Sequence, residues 1–388
     1  MQLWGKHNPA RQETQEGQTP LAEKLAWLRL SRTENVGPIT FYRLIEAYGS
    51  AGAALEALPE LSKRGGRKNP LSAPPMAAVE TEYRALQKLG GDIITATCPD
   101  YPLALAACDD APPVISVLGN RDLMKPSCVA MVGARNASLN GRKFAAKLAR
   151  ELGEEGQIVV SGLARGIDTA AHEGALESGT IAVVAGGIDI VYPEENRKLY
   201  DAIKERGLII AESKLGQQPF ATSFPRRNRI VSGLSQAVIV VEATMKSGSL
   251  ITARLAGEQG RDVMAVPGSP LDPRASGPNA LLRDGATLVR SAADVMETLR
   301  DFSGHSLREA LPPVQRFEHG VAGADEMPEN AQGDILEALS FTPVTVDELL
   351  RACHVSIPVL QTILLELELA GRVKRHPGGR ISLLQEDE

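Results

Sequence analysis

Apolar residues follow three different spacings along the chain. From residue 21 to about 58 they recur every three or four residues, as at Leu21, Leu25 and Leu28, which predicts amphipathic helices. From about 81 to 301, short apolar runs alternate with stretches of helical spacing. From 334 to 384 the pattern predicts three short helices and a hairpin at Gly378-Gly379, which is typical of a winged helix. Three folding units are therefore expected.

The middle segment contains seven apolar runs rich in β-branched residues, and helical stretches separate them. Such alternation predicts βαβ units and a parallel sheet covered by helices on both faces. The predicted fold class is α/β, with a Rossmann-like, mostly parallel sheet between a small N-terminal helical domain and a C-terminal winged-helix domain. The predicted strands lie at 129–132, 158–160, 181–184, 208–210, 238–241, 263–266 and 287–289.

Breaks in these patterns give the predicted domain limits. The first twenty residues are polar, and the segment from Ser303 to Gln332 is acidic and contains Pro and Gly, as linkers do. The stretch from Glu60 to Pro75 is rich in Gly, Pro, Lys and Arg and is predicted to be a loop. The predicted limits are 1–20 for a disordered lead-in, 21–78 for the helical domain, 79–302 for the Rossmann-like domain, 303–332 for the linker and 333–388 for the winged helix.

Composition restricts the class of protein. The chain has 388 residues and a formal net charge of −6, so any nucleic-acid site must be a local basic patch. The cysteines form no CxxC pair, which argues against a structural zinc site or a disulfide scaffold and favours reduced thiols. No apolar run approaches the length needed to span a bilayer. We therefore expect a cytoplasmic protein without membrane contact.

Four loops that follow predicted strands have the composition of phosphate-binding loops. Ligands of open parallel sheets bind beyond the carboxyl ends of the strands, where glycines and helix N-termini can accept an anion. Each loop alone also fits a tight turn or a helix cap, but the fold would place all four at one edge. The predicted phosphate-binding residues are Gly133, Ala134, Arg135, Ser161, Gly162, Ala164, Arg165, Gly166, Arg226, Arg227, Asn228, Arg229, Ser247, Gly248 and Ser249.

Three neighbouring side chains receive other roles. Phe224 precedes the arginine cluster and is predicted to stack on a base, although it could also belong to the core. Asp168 is predicted to cap the helix after the second loop. His172 is predicted to be a helix-face residue, since nothing near it in sequence indicates a catalytic triad.

The motifs of several enzyme classes do not occur in the sequence. There is no G-x-x-x-x-G-K-[ST] loop, the first loop is not G-x-G-x-x-G, and no metal-spaced cluster occurs. We therefore predict no cofactor, no metal and no catalytic residue. The alternative is an enzyme acting on a nucleotide or its phosphoribosyl group, for which Glu242 and Asp168 are the candidate carboxylates.

The same segments resemble the DNA-processing protein A family (DprA, also called Smf). The resemblance implies a Rossmann-like homodimer that binds single-stranded DNA, protects incoming DNA and loads the RecA recombinase during natural transformation. It places the phosphate contacts at Gly133, Arg135, the 161–166 loop and the 224–229 segment. Family members often carry a basic residue three positions before the phenylalanine, where this chain has Ala221. The matching stretches are 132–135, 161–168, 192–196, 224–235, 241–243, 247–250, 265–268 and 277–279.

The flanking domains are expected to contribute less to DNA binding. The N-terminal unit resembles a sterile-alpha-motif or helix-hairpin-helix module, but its turn has one glycine, Gly37, and then Pro38, which lacks an N–H. The presumed recognition helix of the winged helix, 356–369, has no Lys or Arg and carries Glu366 and Glu368. Because groove-reading helices need basic or amide side chains, this domain is predicted to make protein contacts.

Overall fold

The computed structural model describes residues 19–302, 330–376 and 379–384. Nearly all of the predicted lead-in and linker therefore lies outside the described residues. The N-terminal unit consists of α1 (Leu21–Ser31), α2 (Pro38–Tyr48), α3 (Ala51–Arg64) and α4 (Met76–Lys88).

The N-terminal helices pack around large buried side chains. Phe41 and Tyr42 are almost fully buried, and the ring of Phe41 lies 4.8 Å from that of Trp27 between centroids. Helix α3 continues past Pro59 to Arg64, because Leu58 and Leu61 on either side of the proline are buried in the core. The predicted loop starting at residue 60 was therefore wrong in its first part. Helix α4 also runs without a break through the predicted domain limit at 78.

A sheet of nine strands forms the centre of the molecule. Its strand order is β1-β2-β6-β5-β4-β3-β7-β8-β9, and every pair from β6 to β9 is parallel. The two pairs that involve β2 are antiparallel. The strands are β1 (Asp92–Thr95), β2 (Val114–Gly119), β3 (Cys128–Val132), β4 (Ile158–Ser161), β5 (Thr180–Val184), β6 (Leu208–Ala211), β7 (Ala237–Val240), β8 (Asp262–Ala265) and β9 (Thr287–Leu288).

The predicted Rossmann-like class is confirmed, and the seven predicted strands correspond to β3–β9. The sequence prediction missed β1 and β2, since an antiparallel pair needs no crossover helix and so shows no strand–helix alternation. The helices of this domain cover both faces of the sheet, and α6 and α7 pack together on one of them. They are α5 (Leu103–Ala106), α6 (Leu139–Glu154), α7 (Ile167–Ala175), α8 (Arg197–Arg206), α9 (Ser223–Gly233), α10 (Ser249–Glu258), α11 (Ser276–Arg283) and α12 (Ala292–Phe302).

The C-terminal unit is a winged helix, as predicted. A capping box between Thr345 and Glu348 fixes the start of its second helix. The unit has its own apolar core, which includes Ile335, Leu360 and Ile381. Its elements are α13 (Ala331–Ala338), β10 (Val344–Thr345), α14 (Val346–Cys353), α15 (Ile357–Leu369), β11 (Val373–His376) and β12 (Arg380–Leu383), with the strand order β10-β12-β11.

The winged helix packs on the N-terminal domain through α15. Leu365 and Leu369 of this helix join the hydrophobic cluster that contains the N-terminal core. Asn35 Nδ2 donates a hydrogen bond to the Leu369 carbonyl at 3.4 Å. At Gly65 the two backbones are so close that a Cβ would lie 2.0 Å from the Glu366 carbonyl oxygen. The helix that the sequence assigned to protein contacts thus contacts the N-terminal domain of the same chain.

Candidate nucleic-acid interface

All four predicted loops meet at the carboxyl edge of the sheet, as expected for parallel strands. They line a groove of about 860 Å³, which we call the phosphate groove. One polar contact joins its third and fourth loops, because Asn228 Nδ2 donates to the Gly248 carbonyl at 3.4 Å. Within the fourth loop, the hydroxyls of Ser247 and Ser249 are 2.6 Å apart. The predicted site residues that line the groove are Gly133, Ala134, Arg135, Ala164, Asp168, Phe224, Arg227, Asn228, Ser247, Gly248 and Ser249.

A smaller cavity of about 360 Å³ adjoins the phosphate groove, and we call it the side pocket. Arg135, Ala164, Phe224 and Arg227 line both cavities, so the two are continuous. Exposed Arg165 lies on the side pocket and not on the groove, with its Nη1 3.8 Å from Glu195 Oε1. Because both side chains of this pair are largely exposed, it adds little stability and leaves Arg165 accessible to an anion.

Arg227 lies under the second loop, at the centre of the interface. Its side chain is 7% exposed, and a Cβ at Gly162 would lie 1.3 Å from its Nη1. Burial lowers the pKa of Arg227, and the neighbouring Asp168 raises it. Because an arginine remains charged despite such a shift, this buried cation is a fixed positive charge beneath the loop.

Asp168 shapes the second loop. Its Oδ2 accepts hydrogen bonds from the Gly162 and Ala164 amides at 3.2 and 3.3 Å. Burial raises the pKa of the carboxyl, while Arg227 lowers it. The predicted helix cap was wrong in its partner: the residue before α7 is Gly166, which makes no side-chain cap, and Asp168 binds the loop instead of the first turn. Its structural role therefore consists of holding the loop over Arg227.

Gly166 and Ser161 contribute to the internal packing of the second loop. Gly166 has φ of +82°, and a Cβ there would lie 2.2 Å from the Ala134 carbonyl oxygen of the first loop. Ser161 is fully buried, and its Oγ donates to the Met131 carbonyl at 2.6 Å. The predicted phosphate contact of Ser161 was wrong, because Ser161 is the last residue of β4 and its side chain points into the core.

The N-terminus of α6 is already capped by a carboxylate. Glu242, which follows β7, accepts hydrogen bonds from the Ser138 amide at 2.8 Å and the Ser138 hydroxyl at 2.6 Å. The Ser138 hydroxyl in turn accepts from the Gly141 amide at 2.8 Å. The Ser138 and Gly141 amides at this helix start are thus satisfied within the chain. Arg135, which is exposed, is the charged group that the first loop offers to an anion.

The three arginines of the third loop have different surroundings. Arg226 is exposed and lies outside the phosphate groove, in a neighbouring cavity. Arg229 is 8% exposed, its Nη2 lies 2.5 Å from Glu212 Oε1, and its Nε lies 3.6 Å from Asp110 Oδ2. The predicted phosphate contact of Arg229 was wrong, because the turn of α9 directs this side chain inward to two carboxylates.

Phe224 and Arg135 form a cation–π pair. The guanidinium carbon of Arg135 lies 5.0 Å from the Phe224 ring centroid. The ring of Tyr192 lies 5.6 Å from that of Phe224, and Tyr192 is 49% exposed. Phe224 is therefore half-buried among these two side chains and the walls of both cavities. Base stacking by Phe224 stays a prediction.

The sequence prediction missed two supporting residues, Tyr192 and Asn196. Asn196 is buried, and its Nδ2 donates to the Leu163 carbonyl at 2.9 Å and to the Thr169 hydroxyl at 2.9 Å. These bonds hold the second loop where Leu163 adopts a φ of +56°. The signal was present, since both residues belong to a stretch, 192–196, that carried the family resemblance but was given no role.

No group of three or more His, Cys, Asp or Glu that could hold a metal occurs in the described ranges. Within the same ranges, no single helix is long and apolar enough to cross a membrane. Helices α14 and α15 together have that length and composition, but they are bent by 113°.

Comparisons with known proteins match all three domains to one family. Residues 92–300 match the family described as DNA recombination-mediator protein A, residues 21–85 the DprA-like N-terminal HHH domain, and residues 322–379 the DprA winged helix domain. The chain belongs to the DprA/Smf family. Membership gives it a role in DNA processing and recombination mediation.

Individual members of the DprA/Smf family cover most of the chain. Protein Smf of Synechocystis is 32% identical over 92% of this chain and 98% of its own length. Protein Smf of Escherichia coli is 36% identical over 80% of this chain and 82% of its own length.

Two solved DprA structures are also similar. The X-ray structure of DprA from Streptococcus pneumoniae is 36% identical, with a TM-score of 0.62, covering 72% of this chain and 98% of that one. The structure of DprA from Helicobacter pylori, whose title describes its single-stranded DNA binding mode, is 32% identical, with a TM-score of 0.50, covering 54% of this chain and 96% of that one.

Proposed function

We propose that this DprA/Smf family member binds single-stranded DNA by its phosphates in the phosphate groove and side pocket, without covalent chemistry there. The observation that carries the proposal is the meeting of four loops around Arg135 and Arg227, at one sheet edge of a chain with net charge −6. A local cationic groove in an acidic protein fits a polyanionic ligand. The single-stranded DNA binding mode described for DprA from Helicobacter pylori supports the same ligand.

The proposed contacts divide between charge and shape. Arg135, Arg165 and Arg227 supply positive charge, and the small residues Gly133, Ala164 and Gly248 leave room for a phosphate beside the loop backbones. No pattern of side chains for reading base edges occurs among these residues, so we expect binding with little sequence preference.

We further propose that the protein protects incoming DNA and loads RecA onto it during natural transformation, in the cytoplasm. Family membership supports this role. A homodimer through the Rossmann-like domain would present two phosphate grooves to one strand. Two sites joined in this way would raise the affinity for strands long enough to reach both.

The direct test is a salt titration of oligo-dT binding to the full chain. Counterion release predicts that the logarithm of the binding constant falls linearly with the logarithm of the salt concentration. Arg135→Ala should weaken binding and reduce the slope by roughly 0.7, the value for one single-strand phosphate contact. Arg84→Ala, which changes an exposed arginine on α4, serves as the control. An Arg135→Ala protein that binds like this control would contradict the proposal.

The enzyme alternative gains no support from its two candidate carboxylates. Glu242 is hydrogen-bonded to Ser138, and Asp168 to the amides of the second loop. Both therefore have structural partners in place of a free position facing a substrate. Thermal-shift screening separates the two functions, since a nucleotide-processing enzyme would be stabilised by one mononucleotide and not by oligo-dT.

A further inference from the structure

A third cavity, of about 500 Å³, lies where the three domains meet, and we call it the three-domain cleft. The N-terminal domain contributes Arg32 and the 36–40 turn to its walls, and the central domain contributes the loop after β6 and the start of α9. The winged helix contributes Glu368 and Arg375. A site of this size is within the range of natural ligand pockets, and it exists because α15 is docked on the N-terminal domain.

We propose that the three-domain cleft is a further segment of the nucleic-acid path, which contacts the phosphates of a strand that leaves the phosphate groove and side pocket. The inference rests on the proposed function. It extends the binding surface from the central domain to a cleft that the two flanking domains complete.

The position of the cleft at the sheet edge supports this path. The phosphate groove lies at the ends of β3 and β7, the side pocket at the ends of β4 and β5, and the three-domain cleft at the ends of β5 and β6. These strands are consecutive in the order β6-β5-β4-β3-β7. With neighbouring strands about 4.8 Å apart, the three cavities extend over roughly 19 Å of one edge. A strand following this edge would pass through all three.

One side chain connects the three cavities directly. Arg227 lines each of them, and Val184 and Ala185 at the end of β5 line both the cleft and the side pocket. A polyanion in the side pocket and one in the cleft would therefore share the charge of Arg227. This continuity favours one strand over two unrelated ligands.

The charges in the cleft favour a polyanion. The three carboxylates that line it each face an arginine: Glu212 and Asp110 lie beside Arg229, and Glu368 Oε2 is 3.1 Å from Arg375 Nε. Lys214 and Arg226, by contrast, are exposed and form no ion pair with any residue in the described ranges. Among the other cations of the lining, Arg32 is paired with Glu82, so the net positive charge of the cleft comes from exposed Lys214 and Arg226 and from buried Arg227.

The test uses the Lys214→Gln variant of the full chain. The matched control is Lys88→Gln, which changes an exposed lysine of α4. Binding of dT20 and of dT4 is measured by salt titration. Removing one phosphate contact should weaken dT20 binding about three- to four-fold near 0.15 M salt and reduce the slope by roughly 0.7. The double variant Lys214→Gln with Arg226→Gln should reduce the slope by roughly twice as much. Binding of dT4, which the phosphate groove and side pocket can hold, should change little with Lys214→Gln.

Three results would overturn the inference. In the first, the Lys214→Gln protein binds dT20 as tightly as the Lys88→Gln protein does, while Arg135→Ala still weakens dT20 binding. The proposed function would then stand without the cleft. The second is an equal loss for dT4 and dT20, which would place Lys214 at the main site. In the third, Lys214→Gln weakens the binding of dTMP but leaves dT20 binding unchanged. The cleft would then hold a free nucleotide. If Arg135→Ala also leaves dT20 binding unchanged, the proposed function itself fails.

Discussion

Gly162 lies directly against the guanidinium of Arg227, where a Cβ would come within 1.3 Å of Nη1. This contact joins the second loop to the start of α9, which the sequence could identify only as two separate motifs. The glycine is therefore required by a buried cation of the same chain as much as by an approaching phosphate.

Gly162→Ala should displace Arg227 and disturb both cavities. Overpacking of this kind destabilises a protein by about 1–3 kcal/mol, and the shifted arginine should also weaken oligo-dT binding. Gly248→Ala is the control, because nothing lies within 4 Å of its Cβ position although Gly248 lines the adjoining phosphate groove. Urea unfolding of both variants gives the stability difference. A Gly162→Ala protein as stable as Gly248→Ala would refute the close contact.

Arg229→Ala should act on stability and not on the salt slope. The substitution removes the buried guanidinium and leaves the Glu212 and Asp110 carboxylates without their cation. Because these side chains are 27% and 39% exposed, the loss of stability should fall below the roughly 3–5 kcal/mol of a fully buried pair. Arg135→Ala, which changes an exposed arginine of the phosphate groove, should instead weaken oligo-dT binding and flatten its salt dependence. Parallel denaturation and salt titrations separate the two effects. A normal stability with a reduced slope for Arg229→Ala would place Arg229 back at the DNA surface.

Gly65→Val should loosen the winged helix from the N-terminal domain, since a side chain there meets the Glu366 carbonyl at 2.0 Å. Amide hydrogen exchange should then rise along the face of α15 that carries Leu365 and Leu369. Gly52→Ala on α3 is the matched control, because its Cβ would meet only Ser50 Oγ at 4.0 Å. Unchanged exchange in α15 would contradict the docked arrangement.

His172 should contribute a pH dependence to stability. The ring is fully buried, its Nδ1 lies 2.8 Å from Thr180 Oγ1, and burial lowers its pKa from 6.5 to about 3. The unfolded chain therefore binds a proton below about pH 6.5 that the folded chain does not bind until about pH 3. The stability that the neutral His172 ring contributes is complete above about pH 6.5. It is lost as the pH falls toward about 3, by about 1.4 kcal/mol per pH unit.

His172→Gln removes this titrating group. Urea unfolding between pH 7 and pH 4 should show a shallower fall in the free energy of unfolding for the variant than for the parent chain. Equal slopes would mean that the ring becomes protonated inside the fold. The prediction of a helix-face residue is consistent with the structure, and the structure adds that this face of α7 is buried.

The sequence by itself determined the fold class, the seven parallel strands and the edge at which the loops gather. It could do so because strand–helix alternation and loop composition are local properties, and parallel strands align their carboxyl ends. It also showed that α15 carries no Lys or Arg. The pair β1 and β2 was missed, since no crossover helix marks an antiparallel pair.

Only the tertiary structure decided which polar groups remain available for a ligand. The four loops contain arginines, glycines and helix starts of similar appearance, but Arg229 is neutralised by Glu212 and Asp110, and Glu242 caps α6. Their partners come from distant parts of the chain, so no local pattern could reveal them. The cleft at Lys214 likewise requires three domains to meet. Composition sets the number of charges on a chain, and long-range contacts decide which of them stay unpaired at the surface.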